Sequence, residues 1–561
     1  MLEQGDEERK QHKEGRPLES YGRVVAVLGL LCLALMGCSR GPLADTTAPS
    51  PLPTANGQPR DTAGAPPSTA TLTRAIPHDT PTVGRATART ATAISTASIA
   101  RPSESPTTAP TAQPSDTPSR RPSPTPTVTA TATRVPISVR WGELTISTYA
   151  YEQALYTDPQ KAGHPYALLH RSKVGPPRAR TYKVLIVRNE YLELTFMPEM
   201  GGRLYQCRFL PTGQELFYNN SVIKPTHWGP PDQGWWLAIG GMEWCLPVDE
   251  HGYLTAEPWI PEVIRQPDGS VIVVMSAQER SRSIEVRVAL SLHPGESGFT
   301  VRSTLYNPEA TPKRVQYWLN AMLAPGAHSV QPSLRFFYPA SEVIVHSRGD
   351  KSLPDAQARM SWPLFDGRDL SQYATWKNWL GFFAPTLRAP FTAVYDEAAQ
   401  LGIVRIFPPE SARGVKLFAF GPDFGDVGAY TDDGSEYVEM WGGLTPTFWD
   451  YAVLEPQGRA SWEESWYVLS RSGGPDLATA QASVHVSREA NMLGITVAAP
   501  REAHWVLHVY RGDREVAQQR LDIRPEAPFQ GQVALEAGSS AEDVTIKILD
   551  LRGAEVMVYS P

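Results

Sequence analysis

From Ile137 to the end of the chain, apolar and polar residues alternate with a period of two rather than 3.6. In SIEVRVAL, Ser283 to Leu290, every second side chain belongs to one face of a strand, and FTVRSTLYN, Phe299 to Asn307, repeats the pattern after HPGESG. The tetrapeptide PDGS, Pro267 to Ser270, lies between EVIRQ and VIVVM and predicts a hairpin turn. No long amphipathic helix or internal repeat competes with this pattern. The alternation confines the chain to the all-β class, and residues 137–472 suffice for one large sandwich. A break in composition at SRSGGPD, Ser470 to Asp476, sets off residues 477–561, whose short alternating runs predict a small immunoglobulin-like β-sandwich. Arg511-Gly512-Asp513 is expected at a charged hairpin tip rather than as an adhesion motif.

The first quarter of the 561 residues follows other rules. Residues 1–23 are polar and carry Arg9, Lys10, Lys13, Arg16 and Arg23, and the apolar run Val24 to Gly37 follows. That run is short for a bilayer span and ends at Leu35-Met36-Gly37-Cys38, which resembles a bacterial lipobox. Residues 1–38 are therefore expected to be a lipoprotein signal peptide, with Cys38 acylated and the protein held outside the cytoplasm on a membrane. Residues 39–136 are dominated by Pro, Thr, Ser and Ala, which leaves too little apolar area to offset the entropy of ordering. A long disordered stalk is predicted there.

The net charge of -7, with no basic block in the folded region, argues against a nucleic-acid partner. Outside the signal and Cys38, only Cys207 and Cys245 remain, and an oxidising compartment permits either a disulfide between them or two buried free thiols. Of the 15 tryptophans, all but Trp505 fall between Trp141 and Trp466, with clusters at Trp228, Trp235, Trp236, Trp244 and Trp259 and at Trp441 and Trp449. A tryptophan offers a flat apolar face and one donor, which suits stacking on sugar rings, although a large core also uses such residues.

Four ordered blocks then carry a resemblance. They are RNEYLELTFMPEMGGRLYQCRFLPTGQELFYNNSVIKP (Arg188 to Pro225), GGMEW, WPLFDGRDLSQYATWKNWLGFFA (Trp362 to Ala384) and YVEMWGGLTPTFWDYAVLEPQGRASWEESWY (Tyr437 to Tyr467). Together they resemble the domain-of-unknown-function family 5107, bacterial domains with the galactose-mutarotase-like β-supersandwich. The resemblance implies a sugar-sized cleft on one sheet face. It implies a glutamate as general base on the anomeric hydroxyl and a histidine as acid on the ring oxygen.

Carried over residue by residue, Arg203 in GGR falls at a substrate-binding arginine, His251 in EHGYLTAEPW at the auxiliary histidine, and Glu439 in YVEMWGG at the catalytic glutamate. The main acid histidine normally follows an asparagine, but here Asn320 is followed by Ala321. Catalysis is thus expected from Glu439 and His251, with Arg203, Glu243, Trp244, His227, Trp228, Asn320 and Trp441 binding substrate. Glu243, Cys245, Asp249 and His251 in GGMEWCLPVDEHGY have the residue types of a metal site but no zinc-like spacing, and Cys245 lacks a Cys-x-x-Cys partner, so neither metal nor cofactor is expected. The expected partners are a mono- or oligosaccharide and, through the lipid, a membrane. Three readings stay open: a carbohydrate-binding lipoprotein, an aldose epimerase or glycoside-active enzyme, and a non-catalytic envelope interaction protein.

Overall fold

The computed structural model describes residues 135–161, 163–536 and 544–560. The signal segment, Cys38 and the stalk lie outside the described residues, apart from the last two stalk positions.

The alternation read from the sequence becomes two stacked sheets, one of 14 strands and one of 8, which form the β-supersandwich that the resemblance implies. The middle of the large sheet runs, in hydrogen-bonded order, through Leu380–Phe383, Gly414–Ala419, Val438–Gly443, Trp318–Leu323, Met242–Cys245 and Arg203–Phe209. The predicted hairpin is present: Ile260–Arg265 pairs with Val271–Glu279, and Arg265 lies opposite Val271. Gly269 closes its turn by donating from its backbone nitrogen to the Gln266 carbonyl.

The main core fills the space between the sheets. Trp244, Leu319, Leu417 and Met440 enter it from the large sheet, and Val273, Leu290, Val301, Ile403 and Trp466 from the small one. Each buried side chain of this size contributes about 1.5 to 3 kcal/mol. One ion pair is embedded here. Arg405 and Glu464, 0% and 2% exposed, meet at 2.6 Å, and the indole of Trp462 donates to the same carboxylate. A methyl group built on Gly442 would lie 2.3 Å from the Arg405 guanidinium, so glycine there lets the strand holding Glu439 settle directly onto this pair.

At the C-terminal end, two four-stranded sheets enclose a separate core that includes Val484, Ile495, Leu507, Val509, Leu521 and Ile546. The Arg511-Gly512-Asp513 triplet is a hairpin tip, as its charge suggests: Arg511 pairs with Arg514 across it.

Candidate functional site

Strand alternation builds the site. The register aligns Glu243, Asn320, Trp441, Lys416 and Phe383 in one row across five adjacent strands of the large sheet. The neighbouring row on the same face contains Met322, Glu439 and Phe418. The intervening residues, among them Met242, Trp244, Leu319, Ala321, Leu417 and Met440, point into the core. Glu243, Asn320, Trp441, Lys416 and Glu439 therefore lie on the face of the large sheet turned away from the small one.

A polar pillar stands at one end of the row. The Arg203 guanidinium is wholly buried and donates to the carbonyls of Met200 (3.0 Å), Gly240 (2.8 Å) and Thr255 (3.2 Å) and to the Glu243 carboxylate (3.4 Å). Glu243 also meets Nδ1 of His251 at 2.6 Å and accepts from Asn320 at 3.1 Å. Burial alone would raise the Glu243 pKa, but His251, Arg203 and Asn320 together hold it below the ordinary carboxylate range. His251 lies flat on Trp236, with ring centroids 3.6 Å apart, and is flanked by Trp228 and Trp441.

The loop between Glu243 and His251 is held tightly. The Tyr253 nitrogen donates to the Leu246 carbonyl, and Gly252 at φ +61° lies so close to Leu246 that an added Cβ would approach its nitrogen to 2.2 Å. At the strand start, Gly240 has φ +94°, and a Cβ there would lie 2.3 Å from the Tyr218 carbonyl. The double glycine of GGMEW thus lets the Glu243 strand join the sheet.

Beyond Asn320 lies a second charged group. Glu439 accepts from the Trp441 indole at 2.9 Å and faces the Lys416 ammonium at 3.8 Å. Lys416 is buried over the Trp441 ring, and burial pulls its pKa down against the attraction of Glu439 and Glu250. Glu250, on the tight loop, has its pKa pushed up to about 7 by burial and by Asp249 and Glu439, against His251 and Lys416. Burial, with Lys416 nearby, lowers His346 well below the usual histidine range.

The expected site residues are placed as follows. His251, Glu243, Asn320, Trp441 and Glu439 share one face, and half-buried Trp228 edges it, bonded through its indole to the Tyr430 hydroxyl. Three expectations change. Arg203 is sealed and fully engaged by the protein, so it braces Glu243 instead of reaching a ligand. Trp244 is a core residue whose indole donates to the Gly202 carbonyl, because adjacent strand residues face opposite ways and Glu243 occupies the site face. His227 is exposed and makes no hydrogen bond to a described residue. Lys416, His346 and Trp318 are additions to the expected set, whereas Trp236 stands in the tryptophan cluster and Glu250 in the stretch DEHGY. For Lys416 the available signal was a lysine within the apolar strand GVKLFA.

Cys207 and Cys245 are both buried and free, and the disulfide alternative does not hold here. Burial raises both thiols well above their ordinary pKa. The denatured protein should therefore expose two thiols from this region to a labelling reagent without prior reduction; labelling that needs a reductant would contradict the free pair. The ligand atoms of Glu243, Cys245 and His251 lie within 4.8 Å of one another, a proximity hidden in their linear spacing. The donor set fits a cation poorly, because Arg203 already neutralises Glu243 and burial keeps Cys245 protonated. Two surface hollows, of about 200 and 160 Å³, lie elsewhere, beside Arg335 and beside Arg359.

Four polar atoms in and beside these rows are buried without a protein partner: Oδ1 of Asn320, the indole nitrogens of Trp236 and Trp318, and Nδ1 of His346. Trp318 shares its strand and face with Asn320 two residues on, and His346 approaches Glu250 to 4.0 Å.

Among solved structures, a TPR-domain containing protein from Parabacteroides distasonis is similar at 20% identity and a TM-score of 0.52, over 62% of this chain and 58% of that one. A galactose mutarotase-like protein from Clostridium acetobutylicum matches at 13% identity and a TM-score of 0.38, over 52% of this chain and 96% of its own. A galactose mutarotase related enzyme from Lactobacillus acidophilus matches at 11% and 0.36, over 51% and 98%. Residues 477–559 match the family described as YphG-like protein, second domain. Residues 160–453, more than half of the chain, match the family described as Domain of unknown function (DUF5107), and the chain belongs to that family.

Proposed function

We propose that this face binds carbohydrate, on a lipid-anchored protein that works outside the cytoplasm at the end of its stalk. The observation that carries the binding reading is the set of unpartnered buried atoms at Asn320, Trp236, Trp318 and His346. Buried polar groups are rarely left unpaired, and each costs about 1 to 3 kcal/mol when it is. Sugar hydroxyls donate and accept at once, so they match a mixture of one carbonyl oxygen, two indole donors and a ring nitrogen. Trp228 supplies an accessible aromatic plane for stacking. In this reading Glu439, beside Lys416, takes a proton from an anomeric hydroxyl, and His251 hydrogen-bonds the ring through Nε2.

The test is a glycan array probed with the full chain, followed by calorimetry on the hits. Trp228→Ala should weaken binding by about 5- to 10-fold, the range expected for one lost aromatic contact. A wild-type chain that binds no glycan would remove the carbohydrate reading and leave an envelope interaction protein. The location has its own check: Cys38→Ser should release the protein from membranes.

A further inference from the structure

The carbohydrate reading gives His251, held through Nδ1 by Glu243, a hydrogen bond to the ring, and with Ala321 after Asn320 the proton that opens the ring is left to a further donor. We propose that Glu250 is this donor, giving its proton to the ring oxygen of an aldose while Glu439 takes one from the anomeric hydroxyl. The inference rests on the carbohydrate reading of the same face.

The geometry sets Glu250 apart from the other carboxylates. Glu243 and Glu439 have side chains 1% and 6% exposed and bonded to fixed partners, whereas the Glu250 side chain is 27% exposed and accepts no hydrogen bond from a described residue. Its backbone holds φ +56°, a left-handed conformation that a non-glycine residue keeps only where its surroundings impose it. The imposition is visible: Gly252 closes the loop onto Leu246, and His251 is clamped by Glu243 and Trp236. The charged and titratable groups facing Glu250 are Asp249 and His251 on its own loop, Lys416 and Glu439 on the sheet, His346 at 4.0 Å on the strand Glu342–Arg348, and the Tyr430 hydroxyl. Burial with Asp249 and Glu439 outweighs Lys416 and His251, so the carboxyl is pushed up to about 7 and keeps a proton near neutrality. Two carboxylates with environments that separate their proton affinities are the pattern of an acid and base pair.

The step balances. Glu439 removes the proton from the anomeric oxygen, whose electrons form the carbonyl. The bond from the anomeric carbon to the ring oxygen breaks, and the ring oxygen takes its proton from Glu250. Rotation about the first carbon–carbon bond and the reverse transfers close the other anomer and restore both residues.

The experiment follows anomer exchange of α-D-glucose and α-D-galactose by proton NMR on the full chain, with unfolding of the same proteins as a sugar-free measurement. E250Q should lower kcat by about 100-fold or more with KM nearly unchanged, and the wild-type rate should decline as pH rises through about 7. In the folded state the Glu250 pKa lies above its ordinary 4.5, so its contribution to stability is complete below about 4.5 and is lost as pH rises through 7. Wild type should therefore lose unfolding midpoint relative to E250Q between pH 5 and 8. Wild-type exchange rates in E250Q, or midpoints that run parallel, would overturn the assignment and leave the carbohydrate reading standing. If the midpoints diverge but the wild type speeds neither exchange, the catalytic part of that reading fails and takes the assignment with it.

Discussion

Arg203→Ala is expected to destabilise the folded chain by about 3 to 5 kcal/mol, the range for removing one partner of a buried ion pair. The side chain is 0% exposed, and its loss would strand the carbonyls of Met200, Gly240 and Thr255 together with one oxygen of Glu243. Arg203→Lys should recover little, because an ammonium cannot span acceptors placed around a planar fork. Urea denaturation followed by tryptophan fluorescence measures the effect, and the wild type should also weaken at acid pH. Glu243 has its folded pKa depressed, so its contribution is present above the unfolded value and disappears as pH falls through the folded one. A variant as stable as wild type that binds sugar poorly would return the arginine to the ligand-binding role implied by the family resemblance.

That change of role shows what the sequence could and could not convey. The sheets were legible because period-two alternation survives wherever one face is apolar: Ile284–Leu292 and Gly298–Tyr306 pair in the way their patterns require. The partners of Arg203 were not, since the Gly240 and Thr255 carbonyls stand 37 and 52 positions away and backbone acceptors leave no trace in residue identity. The opposite orientations of Glu243 and Trp244 follow from adjacency alone once GGMEW is placed on a strand. Lys416 became a site residue only through register, which brings five strands from distant parts of the chain side by side, and His346 joins it from the irregularity in the next strand, Glu342–Arg348, between Val345 and Ser347. Glu250 was in view throughout in DEHGY, and Asp249 beside it was legible too, but the burial that contributes most to its raised pKa, and the later contribution of Glu439, come from the fold and from no local pattern.

Glu439→Gln should abolish anomer exchange, a loss of about 100- to 10,000-fold, while sugar binding persists. The amide oxygen can still accept from the Trp441 indole, now 2.9 Å from the carboxylate, so the wall of the site should keep its shape. What disappears is the negative charge 3.8 Å from the Lys416 ammonium. Lys416 is 4% exposed, and burial already pulls its pKa down; without Glu439 its charged form is favoured chiefly by Glu250 and by the aromatic faces of Trp441, Phe448 and Phe418. The variant should therefore lose stability modestly, by about 1 to 3 kcal/mol, less than Arg203→Ala, because a lysine can release its proton where an arginine cannot. Proton NMR of anomer exchange, calorimetry of sugar binding and urea unfolding separate the three effects. Undiminished exchange would place the base elsewhere on this face, and loss of binding with an intact fold would mean that Glu439 holds the sugar rather than its proton.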